Sequence, residues 1–456
     1  MILVVAYALF LAYAVLRLFR APARDETDYL LAGRRLTLPA FVATTVSTWY
    51  GGILGVGEYA WTYGVSNWLV FGAPYYLYAL VFALVLAGRA RRGRALTMPD
   101  LLQERYGTRA AAVGAGAIFV MTVPAPYVLM MGVLVEMVLG WPLWLGAVIG
   151  MVLSVGYVVR GGLRAVVGTE IVQFVLMFLG FMVLVPVCVA KFGGWDFLRD
   201  ALPPQHLTWH GGRGFQAVAI WYVIAASTLV EPAFYQRCCA ARDERTARRG
   251  LLVSILFWIF FDFLTTTSGL YARAVLPGLE DPVAAFPRLA AATLPPLLQG
   301  LFLTSLLATI MSTVDSYAFI AAITGGRDFW LRLRRGGPPV DDPRTTTAVR
   351  VGLLATSVLA VVLALWSGSV IGLWHHLGSV GTPVLLLPVT LGYSRWRPRP
   401  GRATAAMLAA GGASLAWLAL GRGGPWLGVE PIFPGLLVSA AVLLPGLRRD
   451  WNSLRN

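Results

Sequence analysis

Long apolar runs separated by short polar stretches set the pattern of this chain. Runs such as 70–88 and 176–190 carry no charged residue. They are too long for buried strands and long enough to cross a hydrocarbon layer. Thirteen candidate spans follow from this pattern: 2–18, 38–62, 66–88, 111–139, 142–158, 165–190, 215–236, 249–273, 293–324, 347–366, 368–392, 402–420 and 429–447. Lipid offers backbone groups no hydrogen-bond partner, so each span is read as a helix. The short alternating segments of a membrane barrel are absent. The expected fold class is an all-α polytopic membrane protein with about 13 transmembrane helices.

Composition agrees with this reading. Hydrophobic residues make up 58% of the 456 positions, and charged residues only 13%, against about 25% in ordinary soluble domains. Mean hydropathy is +0.70. The net charge of +15 suggests nucleic acid until its distribution is examined. The segments 17–37, 89–110, 159–164, 237–249, 325–350, 393–402 and 448–456 lie on one side and hold 31 of the 37 Lys and Arg. The other side holds 6. Basic residues collect on the cytoplasmic side of membrane proteins. An odd number of helices, with the N-terminus outside and the C-terminus in the cytoplasm, satisfies the asymmetry. The charge therefore reports orientation in a plasma (inner) membrane, and a nucleic-acid partner is not expected.

The first nineteen residues, MILVVAYALFLAYAVLRLF, resemble a signal peptide but lack a basic start. They are read as a retained first span. Residues 97–107, TMPDLLQERYG, start with a capping Thr and end at Gly107. They predict a short interfacial helix on the cytoplasmic side. Cys188, Cys238 and Cys239, and the four histidines, show no metal-ligand spacing. No convergent nucleophile, base or metal cluster appears, so an enzyme is not expected, nor an organic cofactor or an obligate protein partner.

Polar groups inside apolar helices carry the functional signal. Glu58, Glu136, Glu170, Glu231, Asp262 and Asp315 fall in or at the ends of spans. Glu136 and Glu231 read equally well as helix-end residues. The second span contains Thr44, Thr45, Ser47 and Thr48, then Trp49, Tyr50 and the pair Gly51-Gly52. This pattern suits close packing, and it also suits an interrupted helix whose freed carbonyls hold a cation. The ninth span contains LLATIMSTVDSY, with Thr309, Ser312 and Thr313 close together. Such hydroxyls bond back to the preceding turn, or join the carbonyls of a broken helix in an all-oxygen cage fit for a hard ion such as Na⁺.

Five ordered segments together resemble the sodium:solute symporter family. They are AGRRL at 32–36, LTMPDLLQERYG at 96–107, GGLRAVVGTEIVQ at 161–173, EPAFYQRCCAARDERTARRG at 231–250 and ATIMSTVDSY at 308–317. The resemblance implies two inverted five-helix repeats with a discontinuous first core helix. It would place the first span and a cytoplasmic loop in 1–37, the first repeat in 38–190, and an extracytoplasmic loop in 191–214. The second repeat would occupy 215–392, followed by two peripheral helices and a short tail in 393–456. The family's sodium site lies between core helices one and eight, here spans 2 and 9. Matched position by position, it implies backbone carbonyls at Thr45, Thr48 and Thr309 and hydroxyls at Ser312 and Thr313. Asp315 would brace the site. Glu170 stands where many relatives carry Asp, and Ser47 where some carry Asp, so one ion per cycle is expected. Pro124 and Pro126 depart from the family and are read as a kink in span 4.

The implied function is sodium-coupled symport of a small organic solute by alternating access. Candidates for the solute cavity or its gates are Trp49, Tyr50, Glu58, Tyr127, Trp221, Tyr222, Asp262 and His375. Asp262, inside FWIFFDFLTTT, is expected to face the interior among hydroxyl groups. Glu170 and Asp315 are candidates for a coupling role behind the ion. A proton-coupled carrier using Glu58, Glu170 or Asp262 is the alternative. A transporter-like sensor fits less well, since the chain ends at Asn456, nine residues beyond the last span.

Overall fold

The structure, a computed structural model, describes residue 23 and residues 25–93, 95–336, 342–367 and 370–449, the side chains of 370–377 and 400 excepted. The expected first span lies outside the described residues. Among the described residues, eight helical runs are long and apolar enough to cross a membrane, and Gly378–Gly392 and Ile432–Gly446 are shorter apolar helices. The longest run, Leu143–Phe192, turns sharply at Gly162, where φ is +56° and ψ is −145°. That conformation suits glycine. A Cβ there would also strike the backbone and ring of Tyr29. This turn separates the expected spans 5 and 6.

Three other spans are interrupted, each where the sequence removes helical support. The second span is Leu38–Trp49 followed by Ile53–Tyr63, with Tyr50, Gly51 and Gly52 between them. The fourth is Thr108–Thr122 and Ala125–Leu139, parted at Val123 and Pro124. The kink expected from Pro124 and Pro126 is therefore present: the missing proline N–H breaks the ladder. The seventh runs Phe215–Ile224, tightens to a 3-10 turn over Ala225–Val230, and restarts as Pro232–Ala240. Glu231 is extended, with φ −66° and ψ +113°, as steric conflict with a following proline favours. The sequence reading did not anticipate this third break.

The helix Pro296–Ala322 packs along the Leu143–Phe192 run more extensively than any other pair of elements. The start of the second span and the end of the seventh are joined directly. Leu36 N donates to the Ala240 carbonyl at 3.1 Å, and Arg242 N donates to the Leu36 carbonyl at 3.0 Å. Helices Pro400–Leu420 and Ile432–Leu443 pack on each other and on Val370–Gly392.

The interfacial helix is Met98–Tyr106, capped by Thr97 and ended at Gly107. Asp100 ties it to the end of the ninth span. It receives Arg327 at 3.2 Å and Arg332 at 2.5 Å. Burial opposes its charge, but the facing Arg327 and Arg332 outweigh this and hold its carboxyl below the usual range.

Candidate functional site

The break in the second span meets the ninth span at its hydroxyls. Ser312 Oγ donates to the Ser47 carbonyl at 2.8 Å and lies 2.8 Å from the Thr309 carbonyl. Thr313 Oγ1 donates to the Thr48 carbonyl at 2.7 Å. All five of these residues are buried. A helix end leaves its last carbonyls without intrahelical donors, and Leu38–Trp49 ends here. Gly51 permits the approach, because a Cβ there would collide with the Thr313 side chain.

This arrangement gathers three carbonyls and two hydroxyls, all neutral oxygens. Thr45 stands beside them, and its buried hydroxyl has no partner among the described residues. Such a donor set fits a small hard monovalent cation. Thr309 takes part through its carbonyl, while its own hydroxyl donates to Ser305 O at 2.7 Å. Ser47 joins the site through a carbonyl that the residue matching did not select.

Behind this cage lies a charged cluster buried in the protein. Arg237 Nη2 contacts Glu170 at 3.1 and 3.2 Å and Thr48 Oγ1 at 3.0 Å, and it also donates to Ser316 Oγ. Thr48 Oγ1 and Ser316 Oγ lie 2.6 and 2.5 Å from Glu170 Oε1. Glu170 and Arg237 are both 0% exposed. The sequence reading placed Arg237 in a cytoplasmic loop. That placement is corrected here: the helix continues to Ala240, and the guanidinium turns inward to a carboxylate that would otherwise be buried alone. Asp315 accepts from Tyr157 OH and from Gln173 Nε2, the latter at 3.3 Å, and so braces span 9 against spans 5 and 6.

A tight cleft adjoins both groups, lined by Thr45, Thr48, Trp49, Ala233, Phe234, Arg237 and Tyr317. It is closed too far to admit a water-sized guest. Trp49 packs on Tyr75 at 5.4 Å, Phe234 at 5.3 Å and Trp258 at 5.6 Å. Tyr127 packs on Tyr317 at 5.4 Å.

Two of the other solute candidates, Tyr50 and Asp262, face each other, and the rest scatter. Tyr50 is buried and donates to the Trp258 carbonyl at 3.1 Å. Asp262 is buried and accepts from Tyr76 OH. Trp221 packs on Phe71 at 4.9 Å. Glu58 lies near Asp281 of the loop after Glu244–Val275, and Tyr222 is half-buried. The His375 side chain lies outside the described residues. Two residues that the sequence reading missed belong to this region. Trp258 is buried against Trp49 with its Nε1 unpartnered among the described residues, and Glu231 stands at the break in span 7. The Glu231-Pro232 dipeptide was the available signal for that break.

The profile of the sodium:solute symporter family matches residues 29–393. The sodium/pantothenate symporter of Escherichia coli (strain K12) is 28% identical over 444 residues, covering 92% of this chain and 90% of that protein. The sodium/proline symporter of Staphylococcus aureus is 24% identical, covering 93% and 88%. Among solved structures, a substrate-bound, outward-open Na⁺-coupled sialic acid symporter aligns with a TM-score of 0.81 at 14% identity, over 97% of this chain and 96% of that one. The broken helices and the inverted-repeat architecture thus have a shared origin: the chain belongs to the sodium:solute symporter family and is a sodium-coupled membrane transporter.

Proposed function

We propose that the protein imports a small organic solute with one Na⁺ per cycle, held by the Ser47, Thr48 and Thr309 carbonyls and the Ser312 and Thr313 hydroxyls, with Thr45 at its edge. The observation that carries this reading is the direct bonding of Ser312 and Thr313 to carbonyls freed by the break in span 2. An ion there would replace hydroxyl–carbonyl hydrogen bonds with ion–oxygen contacts. It would hold span 9 against the broken helix, and the cleft is walled by residues of the same break. Binding at the ion site is thereby linked to the shape of the solute site.

The second span divides between two mobile tasks. Its cytoplasmic half is tied to span 7 through Leu36 and Ala240, so the two broken helices would swing together. One ion per cycle is supported by Arg237, whose guanidinium lies 3.1 Å from Glu170 where a second ion would otherwise find an unpaired acid. The orientation with N-terminus outside and C-terminus in the cytoplasm rests on the distribution of Lys and Arg.

The relatives' names include pantothenate and proline as solutes, and the fold by itself selects neither. The test is solute uptake into proteoliposomes under an inward Na⁺ gradient, repeated in sodium-free buffer with an inward proton gradient. Uptake driven only by the sodium gradient supports the reading. Uptake driven by protons alone would transfer the coupling role to an acid such as Asp262.

A further inference from the structure

Two arginine-rich stretches meet beside the last helices of the chain. Residues 392–402, GYSRWRPRPGR, join Val370–Gly392 to Pro400–Leu420, and residues 444–449, LPGLRR, follow Ile432–Leu443. Together they hold Arg395, Arg397, Arg399, Arg402, Arg448 and Arg449, and no acid. The next acid, Asp450, lies outside the described residues. Trp396–Arg397 and Arg448–Arg449 pair as two short antiparallel strands, which sets Arg397 directly opposite Arg448 and Trp396 opposite Arg449. Like charges directly opposed destabilise a strand pair. A further arginine joins them. A Cβ on Gly446 would strike the Arg402 guanidinium, so that side chain lies over the approach to the second strand. Arg399 holds the N-cap position of Pro400–Leu420, Arg402 is in its first turn, and no acid stands there. That end of a helix already carries partial positive charge.

Membrane sidedness alone does not require this convergence. Basic residues dispersed among loops satisfy it, as Arg245, Arg248 and Arg249 do at the start of Glu244–Val275. Here the fold draws two distant stretches into one patch. Leaving Arg397 and Arg449 aside, Arg395, Arg399, Arg402 and Arg448 are exposed and form no ion pair with an acid among the described residues. The negative charge that would relieve their repulsion comes from outside the chain.

Depth in the membrane decides its source. One apolar helix ends at Gly392 and the next begins at Pro400, so the patch lies where apolar spans meet water. Trp396 is 47% exposed there, and an exposed tryptophan beside a span end suits the headgroup layer. Lipid phosphates fill that layer, and the planar fork of a guanidinium matches paired phosphate oxygens. The patch also adjoins the moving parts. Tyr393 packs on Tyr235 of the helix Pro232–Ala240 at 5.7 Å, and Tyr106 of the interfacial helix donates to the Pro388 carbonyl at 2.9 Å.

We infer that this patch binds the phosphate headgroup of an anionic phospholipid, held by Arg399, Arg402 and Arg448 with Trp396 at its edge. The bound lipid offsets the repulsion between the two stretches. It fixes the end of Val370–Gly392 against which the helix Pro232–Ala240 rests. The inference depends neither on the ion nor on the identity of the solute.

The experiment uses the purified full-length chain in micelles of an uncharged detergent, with phosphatidylglycerol, phosphatidylcholine or inorganic phosphate added. Phosphatidylglycerol should raise the melting temperature by about 2–4 °C more than phosphatidylcholine does. Inorganic phosphate at the same concentration should do little. Equal shifts with the two lipids, or an equal shift with inorganic phosphate, overturn the inference. Arg399→Gln/Arg402→Gln/Arg448→Gln should lose most of the phosphatidylglycerol shift. Without anionic lipid it should melt at or above wild type, because it has lost repulsion and no ion pair. A lower melting temperature there assigns the arginines to the fold itself and overturns the inference. Arg245→Gln/Arg248→Gln/Arg249→Gln removes the same charge elsewhere and should keep the full lipid shift. Equal loss in the two triple variants reduces the effect to overall charge and overturns the site. The single variant Arg448→Gln, which disturbs the fold least, should lose part of the shift, and a full shift in it counts against the site in the same way.

Discussion

The Thr313 hydroxyl donates to the Thr48 carbonyl at 2.7 Å, across a sequence separation of 265 residues. Ser312 repeats the pattern toward Ser47 at 2.8 Å. Two adjacent hydroxyls thus bind two adjacent carbonyls at the end of a broken helix. In this geometry the hydroxyls of span 9 have a use beyond bonding to their own preceding turn.

Ser312→Ala and Thr313→Ala should each weaken Na⁺ binding strongly. An ordinary neutral hydrogen bond contributes about 0.5–1.5 kcal/mol. A hydroxyl on a dehydrated cation should exceed this, and a loss of roughly 1.4–3 kcal/mol corresponds to tenfold to over a hundredfold weaker binding. Linkage is reciprocal, so the variants should lose solute affinity mostly at low Na⁺ and regain part of it at high Na⁺. Thr45→Ala should be milder. Thr48→Ala should not, since its hydroxyl touches Glu170 and Arg237 as well. A Na⁺ titration of solute binding decides it: an unshifted midpoint in the folded Ser312→Ala/Thr313→Ala protein rules out this site for coupling.

Asp262→Asn should impair transport with membrane expression near normal. The buried carboxyl accepts from Tyr76 of span 3 and also faces the Tyr50 hydroxyl of span 2, so it links span 8 to two neighbouring helices through hydrogen bonds. Such bonds are worth about 0.5–1.5 kcal/mol each, and a tenfold or larger fall in uptake rate is expected. Tyr76→Phe, which removes the donor and keeps the acid, should produce a similar loss. Initial uptake rates normalised to protein in the membrane measure both. Wild-type rates in the two variants would detach this pair from transport.

Accessibility labelling tests the orientation without a cysteine-free background, because Cys188, Cys238 and Cys239 are all buried. Asp196→Cys, whose parent side chain is 85% exposed in the loop after span 6, should react with an impermeant maleimide on intact cells. Ser453→Cys should react only after permeabilisation. The reverse pattern would invert the assigned topology.

Most of the spans within the described residues, the kink at Pro124 and the break at Gly51-Gly52 were legible in the sequence, because each leaves a local mark. Hydropathy marks a helix in lipid, a missing N–H marks a kink, and paired small residues mark a break. The Thr48 partner of Thr313 became an expectation only through resemblance, and the Ser47 partner of Ser312 was not expected at all, since a contact across 265 residues has no local signature. Arg237 shows the opposite failure. At the edge of an apolar run, an arginine looks like a loop residue, and only the buried acid opposite reveals its place. Glu231 was read as a helix end, which it is.

The Glu170–Arg237 pair yields a prediction in which the sign of each change matters. Both groups are buried, 3.1 Å apart, so removing one leaves an uncompensated charge. Breaking such a pair costs about 3–5 kcal/mol. Glu170→Gln and Arg237→Gln should therefore each lower the melting temperature, and the double variant should recover much of it. The effect on Na⁺ runs in opposite directions. Arg237 touches Thr48, whose carbonyl belongs to the proposed cage, so charge changes here act on the ion at short range. Glu170→Gln leaves a bare positive charge and should raise the Na⁺ midpoint. Arg237→Gln leaves a bare negative charge and should lower it. The double variant, neutral like the pair it replaces, should return near the wild-type midpoint. A purely structural role predicts instead that the single variants move the midpoint together, as their folded fraction falls. Melting curves and Na⁺ titrations on the same samples separate the two, and shifts of the same sign in both single variants would exclude electrostatic coupling between this pair and the ion.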